Sequence, residues 1–256
     1  MTLDYRLHGD ETAPPLVLSN SLGTTHALWD AQLPALAARF QVLAYDHPGH
    51  GVSDLPTQPC TVSELARELL RLLDALELDR VSICGVSLGA MVAMTMALEA
   101  PDRVDRLVLA CTSANFGPPD PWLERARTVR SDGMEAVADA IVGRWFTPAL
   151  ARTDPQTVAR FREMLASTPP EGYARCCEAV GGWDARDAIA AIAAPTLVVA
   201  GAEDPAAPIE HAELIASRIS GARLRVIEGA AHLANVERPA AFTNAALEHL
   251  GQEVAA

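Results

Sequence analysis

The sequence predicts an α/β protein with a mostly parallel central sheet, helices on both faces and an inserted helical cap. Three observations predict it. Short, nearly continuous apolar runs alternate with segments of helical periodicity, the pattern of strands buried on both faces. That alternation breaks between about 115 and 190, where helical patterns follow one another with no strand between them. Half of the 256 residues are hydrophobic, which suits a large buried core. The division that follows is a core of residues 1–115 and 190–256, with a cap at 116–189.

The elements can be taken in order. The N-terminal segment that carries His8 reads as part of a hairpin. "PLVLSNS" (15–21) is a buried strand ending in polar turn residues, and "FQVLAYDHPGHG" (40–51) is a second strand running into a Gly/Pro/His loop. "SELARELLRLLDALEL" (63–78) has apolar residues at helical spacing, with Ser63 as its N-cap. "RVSICGVS" (80–87) is a third strand. "LGAMVAMTMALEAP" is the helix after it, stopped by Pro101. "VDRLVLACTSA" is a fourth strand. Between 115 and 190, "WLERARTVRSDGMEAVADAIVGRWFTP" and "DPQTVARFREMLASTPPEGYARCCEAVGGWDARDAI" are helical. "APTLVVAGAED" and "ARLRVIEGAAH" are two further strands with a helix between them. A last helix starts near Pro239 and Ala240.

Composition excludes several classes. A formal net charge of −13 argues against nucleic acid or an anionic membrane as partner. It also requires that an anionic substrate meet a local cation. The five cysteines, Cys60, Cys84, Cys111, Cys176 and Cys177, form no metal-ligand spacing. Cys84 and Cys111 lie in apolar strands, where a thiol packs as a small hydrophobe. Cys176 and Cys177 read as cap packing, adjacent thiols being a poor redox pair. "MTLDYRLHGDE" has early acids and no apolar segment, unlike a signal peptide, and no run approaches the ~20 apolar residues of a membrane span. The expectation is a soluble cytoplasmic protein with no metal and no cofactor.

The chemistry centres on Gly85-Val86-Ser87-Leu88-Gly89, a G-x-S-x-G pattern that follows a strand and opens a helix. A sharp strand-to-helix turn needs small neighbours, and the helix start supplies free N–H groups behind the serine. The alternative is an ordinary Gly/Ser turn. A serine nucleophile needs a base. Of seven histidines, His8, His26, His47, His50, His211, His232 and His249, only His232 directly follows the last strand and precedes the last helix. Asp204, after the penultimate strand, is the candidate acid that would orient it, with Glu203 as the adjacent competitor. The loop one strand earlier, "ACTSANFGP", has no acid. Serine, acid, histidine is the chain order expected of this arrangement. An oxyanion site needs two backbone donors. Leu88, just after the serine, and Leu22, in "SNSLGTTHALW", are the candidates, with Gly23 letting the backbone approach the substrate.

Together these parts resemble the α/β-hydrolase superfamily over nearly the whole chain. "LVLSNSLGTTHALWDAQLPAL", "VLAYDHPGHGVSD", "GVSLGAMVAM", "GRWFTP" and "GYARCCEAVGGWDARDAIAAIAAPTLVVAGAEDPAAP" narrow it further: they resemble the 3-oxoadipate enol-lactonase family. The chain departs from that family at Pro48, where an arginine is more frequent, and at Gly181 and Gly182, which are expected to loosen the cap before Trp183. It also lacks the carboxymuconolactone decarboxylase partner fused to some relatives, which implies a stand-alone enzyme. The resemblance implies hydrolysis of a small anionic lactone to 3-oxoadipate in aromatic catabolism. Arg144, in "GRWFTP", is then the leading candidate to bind the carboxylate, with Trp145 as an apolar wall. The alternative is a solvated Arg144 paired with Asp139 or Glu135. Arg125, Arg127 and Arg130 read as a solvated helix face. The rival functions are a broad carboxylesterase, a cofactor-free perhydrolase and a ligand-binding protein of the same fold.

Overall fold

A computed structural model describes residues 1–56 and 60–251. Its strands are β1 (Tyr5–His8), β2 (Pro15–Ser19), β3 (Gln41–Tyr45), β4 (Val81–Val86), β5 (Val104–Ala110), β6 (Thr196–Gly201) and β7 (Arg223–Ile227). They form one sheet in the order β1-β3-β2-β4-β5-β6-β7. β1 runs antiparallel to β3, and every other pairing is parallel. β4 and β6 are buried at every position, which is why they read as unbroken apolar runs. The N-terminal hairpin is not formed. β3 lies between β1 and β2, and His8 pairs with Val42 of β3.

The helices are α1 (Leu33–Ala37), α2 (Val62–Ala75), α3 (Leu88–Glu99), α4 (Asp120–Asp132), α5 (Glu135–Trp145), α6 (Pro148–Thr153), α7 (Pro155–Ala166), α8 (Pro170–Gly181), α9 (Ile209–Arg218), α10 (Ala234–Glu237) and α11 (Pro239–Leu250). α2 is capped by Thr61, not by Ser63. The Thr61 hydroxyl accepts from the Glu64 N–H at 3.1 Å, and Glu64 accepts from the Thr61 N–H at 2.9 Å. Ser63 instead donates to Glu99 of α3 at 2.6 Å.

Helices α4 to α8 all lie between β5 and β6, and no strand occurs among the described residues there. The two long helical stretches hold α4, α5, α7 and α8, with α6 between them, and backbone chemistry sets the breaks. Gly133 ends α4 at φ 77°, and prolines open α6, α7 and α8. This segment meets the rest of the chain closely: a Cβ on Gly172 would lie 2.1 Å from the Gly49 carbonyl oxygen. Gly181 does not loosen it either, since a Cβ there would come within 3.0 Å of the Trp122 Cβ.

The parallel register carries β2, β4, β5 and β6 to one edge. Ser19 pairs with Gly85, Val86 with Ala110, and Ala110 with Val199. The loops after these strands therefore converge at the carboxyl edge. α3 starts there with almost no clearance. A Cβ on Gly89 would lie 2.0 Å from the Ser19 carbonyl oxygen, and one on Gly85 would lie 2.5 Å from Gly89.

The contrast with a roomy glycine is testable. Gly89→Ala should destabilise the protein by at least about 2 kcal/mol, because backbone must move. Gly143→Ala, on α5 with open space around it, should be neutral or stabilising by up to about 1 kcal/mol. Urea midpoints for the two variants check both signs.

Candidate active site

Ser87 links β4 to α3 at φ 55° and ψ −113°, a left-handed conformation rarely adopted by a side-chain-bearing residue. Two hydrogen bonds hold it there. The Ser87 N–H donates to the Ala110 carbonyl at 2.8 Å, and the Thr112 hydroxyl donates to the Ser87 carbonyl at 2.9 Å. Strain of this kind amounts to about 1–3 kcal/mol and persists only where the surroundings over-determine it.

His232 and Asp204 come from the loops after β7 and β6. Gly201 lets these loops touch, since a Cβ there would lie 2.2 Å from the Ala231 carbonyl oxygen. The imidazole Nδ1 lies 2.8 Å from Asp204 Oδ2, and both residues are buried. With Nδ1–H donated to the carboxylate, the Nε2 lone pair is left for a proton from elsewhere. Asp204 Oδ1 accepts from the N–H groups of Ala206 at 2.8 Å and Ala207 at 3.0 Å. Burial alone would raise the carboxyl's pKa. The charge and hydrogen bond of His232 and the two backbone donors outweigh it and hold the pKa below the ordinary value. Glu203, the competitor, is exposed.

Leu22 and Leu88 are buried, and neither N–H has an acceptor among the described residues. Buried donors without partners are rare away from functional sites. The Leu22 loop is fixed by a buried polar network. The Gly23 N–H donates to His50 Nε2 at 3.0 Å, while His50 Nδ1 meets the Pro48 carbonyl at 3.2 Å. His47 Nε2 meets the Asn20 carbonyl at 2.9 Å. The Asn20 side chain donates to the Tyr45 carbonyl at 2.7 Å and accepts from the Trp29 indole at 2.8 Å. Burial pushes His50 down to about 4 and, helped by the neighbouring His50, His47 down to about 3. Both are neutral supports of the loop, a role the sequence does not announce. Gly23 has a different purpose from the one expected: a Cβ there would strike Leu165 of α7 at 2.4 Å and Tyr173 of α8 at 3.0 Å. Its space is taken by packing.

Ser87, His232 and Leu22 open on a cavity of about 70 Å³. Its far walls come from the helical segment and include Trp122, Arg125, Arg144, Trp145 and Tyr173. Arg144 and Trp145 thus line the same cavity as Ser87 and His232. The acids offered as partners for Arg144 are taken elsewhere, since Arg162 binds Asp139 at 2.6 Å and Glu135 at 2.7 Å. Arg144 has no acidic partner within ion-pair distance among the described residues. Burial and the like charge of Arg125 lower its pKa, yet an arginine remains charged.

Arg125 corrects the sequence reading. Arg127 and Arg130 are exposed, and Arg130 pairs with Glu171 and Glu178. Arg125 instead lines the cavity, its guanidinium 4.6 Å from the Trp122 ring centroid. The signal was present in the spacing: Trp122, Arg125, Ala126 and Val129 fall at i, i+3, i+4 and i+7, one face of α4. A further cluster went unread. Asp4, His26 and Asp46 place potential metal-ligand atoms within 4.8 Å of one another. There Arg6 already binds Asp4 at 2.8 Å, and the His26 N–H donates to Asp46 at 2.6 Å.

The arrangement is one that a serine hydrolase could use, and sequence comparison places the chain among hydrolases. Residues 14–239 match the family model described as alpha/beta hydrolase fold, and the chain belongs to that family. Within it, the chain is 35% identical to 3-oxoadipate enol-lactonase 2 of Acinetobacter baylyi, over 96% of this chain and 91% of that protein. It also superposes on the crystal structure of the enol-lactonase from Burkholderia xenovorans LB400, with TM-score 0.95 and 39% identity, covering 98% of this chain and 96% of the other. A hydrolase from Pseudomonas aeruginosa matches with TM-score 0.94 and 48% identity, over 98% and 94%. The likeness to the enol-lactonases seen in the sequence is therefore real. No helix among the described residues is long and apolar enough to cross a membrane.

The histidine pair sets a pH dependence of stability. Both imidazoles are neutral in the folded state and take up protons near the ordinary 6.5 when unfolded. Between pH 6.5 and about 4 the unfolded chain therefore binds more protons, and stability falls as pH falls. Each group contributes a slope of about 1.4 kcal/mol per pH unit there. His50→Gln keeps an acceptor for the Gly23 N–H and should remove about half of that dependence, measured by urea unfolding at pH 7.5 and 5.

Proposed function

We propose that the protein hydrolyses 3-oxoadipate enol-lactone to 3-oxoadipate, in the cytoplasm and as part of aromatic catabolism, with residues 116–189 acting as the cap that selects substrate. The observation that carries this reading is the pair Arg144 and Arg125. In a chain of net charge −13, two guanidiniums without acidic partners face the cavity that holds Ser87 and His232. Such a pocket suits a small ester with a carboxylate arm. The names of the relatives support the same choice.

In this mechanism Ser87 Oγ attacks the lactone carbonyl as His232 Nε2 takes its proton. Asp204 holds the imidazole and stabilises the imidazolium. The oxyanion is bound by the N–H groups of Leu22 and Leu88, which are already oriented and unpartnered. Collapse breaks the ring C–O bond. The leaving oxygen departs as an enolate, better expelled than a simple alkoxide, and takes the proton held by His232, which leaves the imidazole neutral; the enol so formed tautomerises to the ketone. A water then gives a proton to His232 and attacks the acyl-enzyme, releasing the second carboxylate and restoring Ser87. No step calls on a metal or cofactor.

The test is a spectrophotometric assay with the enol-lactone generated in situ. Wild type should turn it over, and Ser87→Ala should lose activity by at least about 10³-fold. Arg144→Met should lower kcat/KM for the anionic lactone by about tenfold or more, the worth of one charge-assisted contact of ~1.5–3 kcal/mol, and Arg125→Met should act in the same direction. Hydrolysis of a small neutral ester should change little in either arginine variant. Equal losses on both substrates would refute the arginine assignment. Activity on neutral esters with none on the lactone would establish a carboxylesterase instead.

A further inference from the structure

The candidate catalytic histidine is bracketed by two hydrogen bonds that both lead to one short stretch of the helical segment. On one side, the Leu233 N–H donates to the Trp145 carbonyl at 3.0 Å. On the other, the Ala231 N–H donates to Glu237 Oε2 at 2.9 Å. Glu237 carries that bond onward. Its two oxygens each accept from the Thr147 N–H at 3.2 Å, and Oε1 also accepts from the Thr147 hydroxyl. Thr147 and Glu237 are buried, at 2% and 6% exposure, so the connection is not a surface contact. Residues 144–147 therefore carry two things at once: the side chains that wall the cavity, Arg144 and Trp145, and the anchors of the loop that holds His232.

A carboxylate is the natural group for this place. Every bond that Glu237 makes here comes from a donor, and an ionised carboxylate is acceptor-only with four lone-pair directions. No cation pairs with it among the described residues, so the backbone and hydroxyl donors supply its solvation. A glutamine would fit the space but must turn an NH₂ toward a donor, breaking one arm of the connection. A valine at 147 would remove the hydroxyl arm, together with the cap that the hydroxyl gives the Leu150 N–H of α6 at 3.2 Å, while a serine would keep both.

We infer that Glu237, through Thr147, is a positioning residue that sets the carboxylate-binding wall and the histidine in register with each other. It touches no substrate. Its removal should misplace His232 relative to Ser87 and Arg144 relative to the substrate's anionic arm, two separable kinetic effects. The second effect rests on the lactonase reading, whereas the first requires only a serine hydrolase.

The experiment compares Glu237→Gln, Glu237→Ala, Thr147→Val and Thr147→Ser in the full-length protein. Burst titration with p-nitrophenyl acetate counts competent sites, and all rates are expressed per titrated site. For Glu237→Gln and Thr147→Val, kcat on the neutral ester should fall by roughly tenfold, as a sub-ångström misplacement of His232 would cause, with its KM little changed. On the enol-lactone, KM should rise by a further several-fold. Thr147→Ser, which keeps the hydroxyl, should recover most of both parameters. Wild-type rates per titrated site in Glu237→Gln and Thr147→Val, with only thermal stability lowered, would overturn the inference. If Glu237→Ala fails to fold, the two threonine variants still decide. If wild type does not hydrolyse the lactone, the lactonase reading fails, and the ester kcat still tests Glu237.

Discussion

The conformation of Ser87 is the constraint around which the rest of the site is arranged. A serine at positive φ is unfavourable in isolation, and here the backbone around it leaves no other course. β4 ends in register with β5, so the Ser87 N–H must meet Ala110. α3 begins against the Ser19 carbonyl, a position only glycine at 89 allows. The turn that results sets Ser87 on the wall of the cavity and leaves the next N–H, that of Leu88, with no acceptor among the described residues. One piece of local strain thus supplies a candidate nucleophile on the cavity wall and a free donor together. Its stabilisation comes from the buried sheet on one side and the packed body of α3 on the other.

Electrostatics solves a second problem by sorting rather than by adding charge. The chain is strongly acidic, yet two of its arginines reach the cavity without an acid. Their potential partners are held by other arginines: Asp139 and Glu135 by Arg162, Glu171 and Glu178 by Arg130. Those exposed pairs contribute little stability individually. Their effect is to keep carboxylates off the faces of α4 and α5 that carry Arg125 and Arg144. On the opposite side of the site, His47 and His50 support the Leu22 loop as neutral groups. The support therefore adds no positive charge that would compete with the two guanidiniums.

The strand ends and the order Ser87, Asp204, His232 were legible because both depend on local pattern. Apolar runs mark the strands, and a parallel sheet brings their following loops to one edge. Glu203 and Asp204 were not separable there, because β6 ends at Gly201 and both acids lie in the turn after it; the bond to His232 tells them apart. What was hidden depends on partners distant in the chain. Glu237 in "NVERP" looks like any helix-end acid, because Thr147 lies 90 residues away. His47 and His50 gain their meaning only from Asn20 and Gly23. Arg125 was obscured differently: its spacing placed it with Ala126 and Val129, but two solvated arginines nearby drew it into their class. The N-terminal strand was placed in the wrong pairing because β1 is too short and too exposed to declare a partner. Thr61 was passed over for Ser63 although Glu64 completes a capping box only with Thr61.

The chain leaves the sheet at Ala110 and returns at Thr196, and those two residues stand in neighbouring strands, β5 and β6. Closing a loop costs entropy that grows only with the logarithm of its length. A connection one quarter as long would save the fold about 1 kcal/mol. In entropic terms the segment between can therefore change its length at little cost to the sheet beneath, provided its ends still meet β5 and β6 and residues 145–147 keep their bonds to Leu233 and Glu237. For a lineage of such proteins the consequence is a division of evolutionary labour. The strained turn and its supports tolerate almost no change, while the helices that carry Arg125, Arg144 and Trp145 are free to diverge toward other acyl compounds.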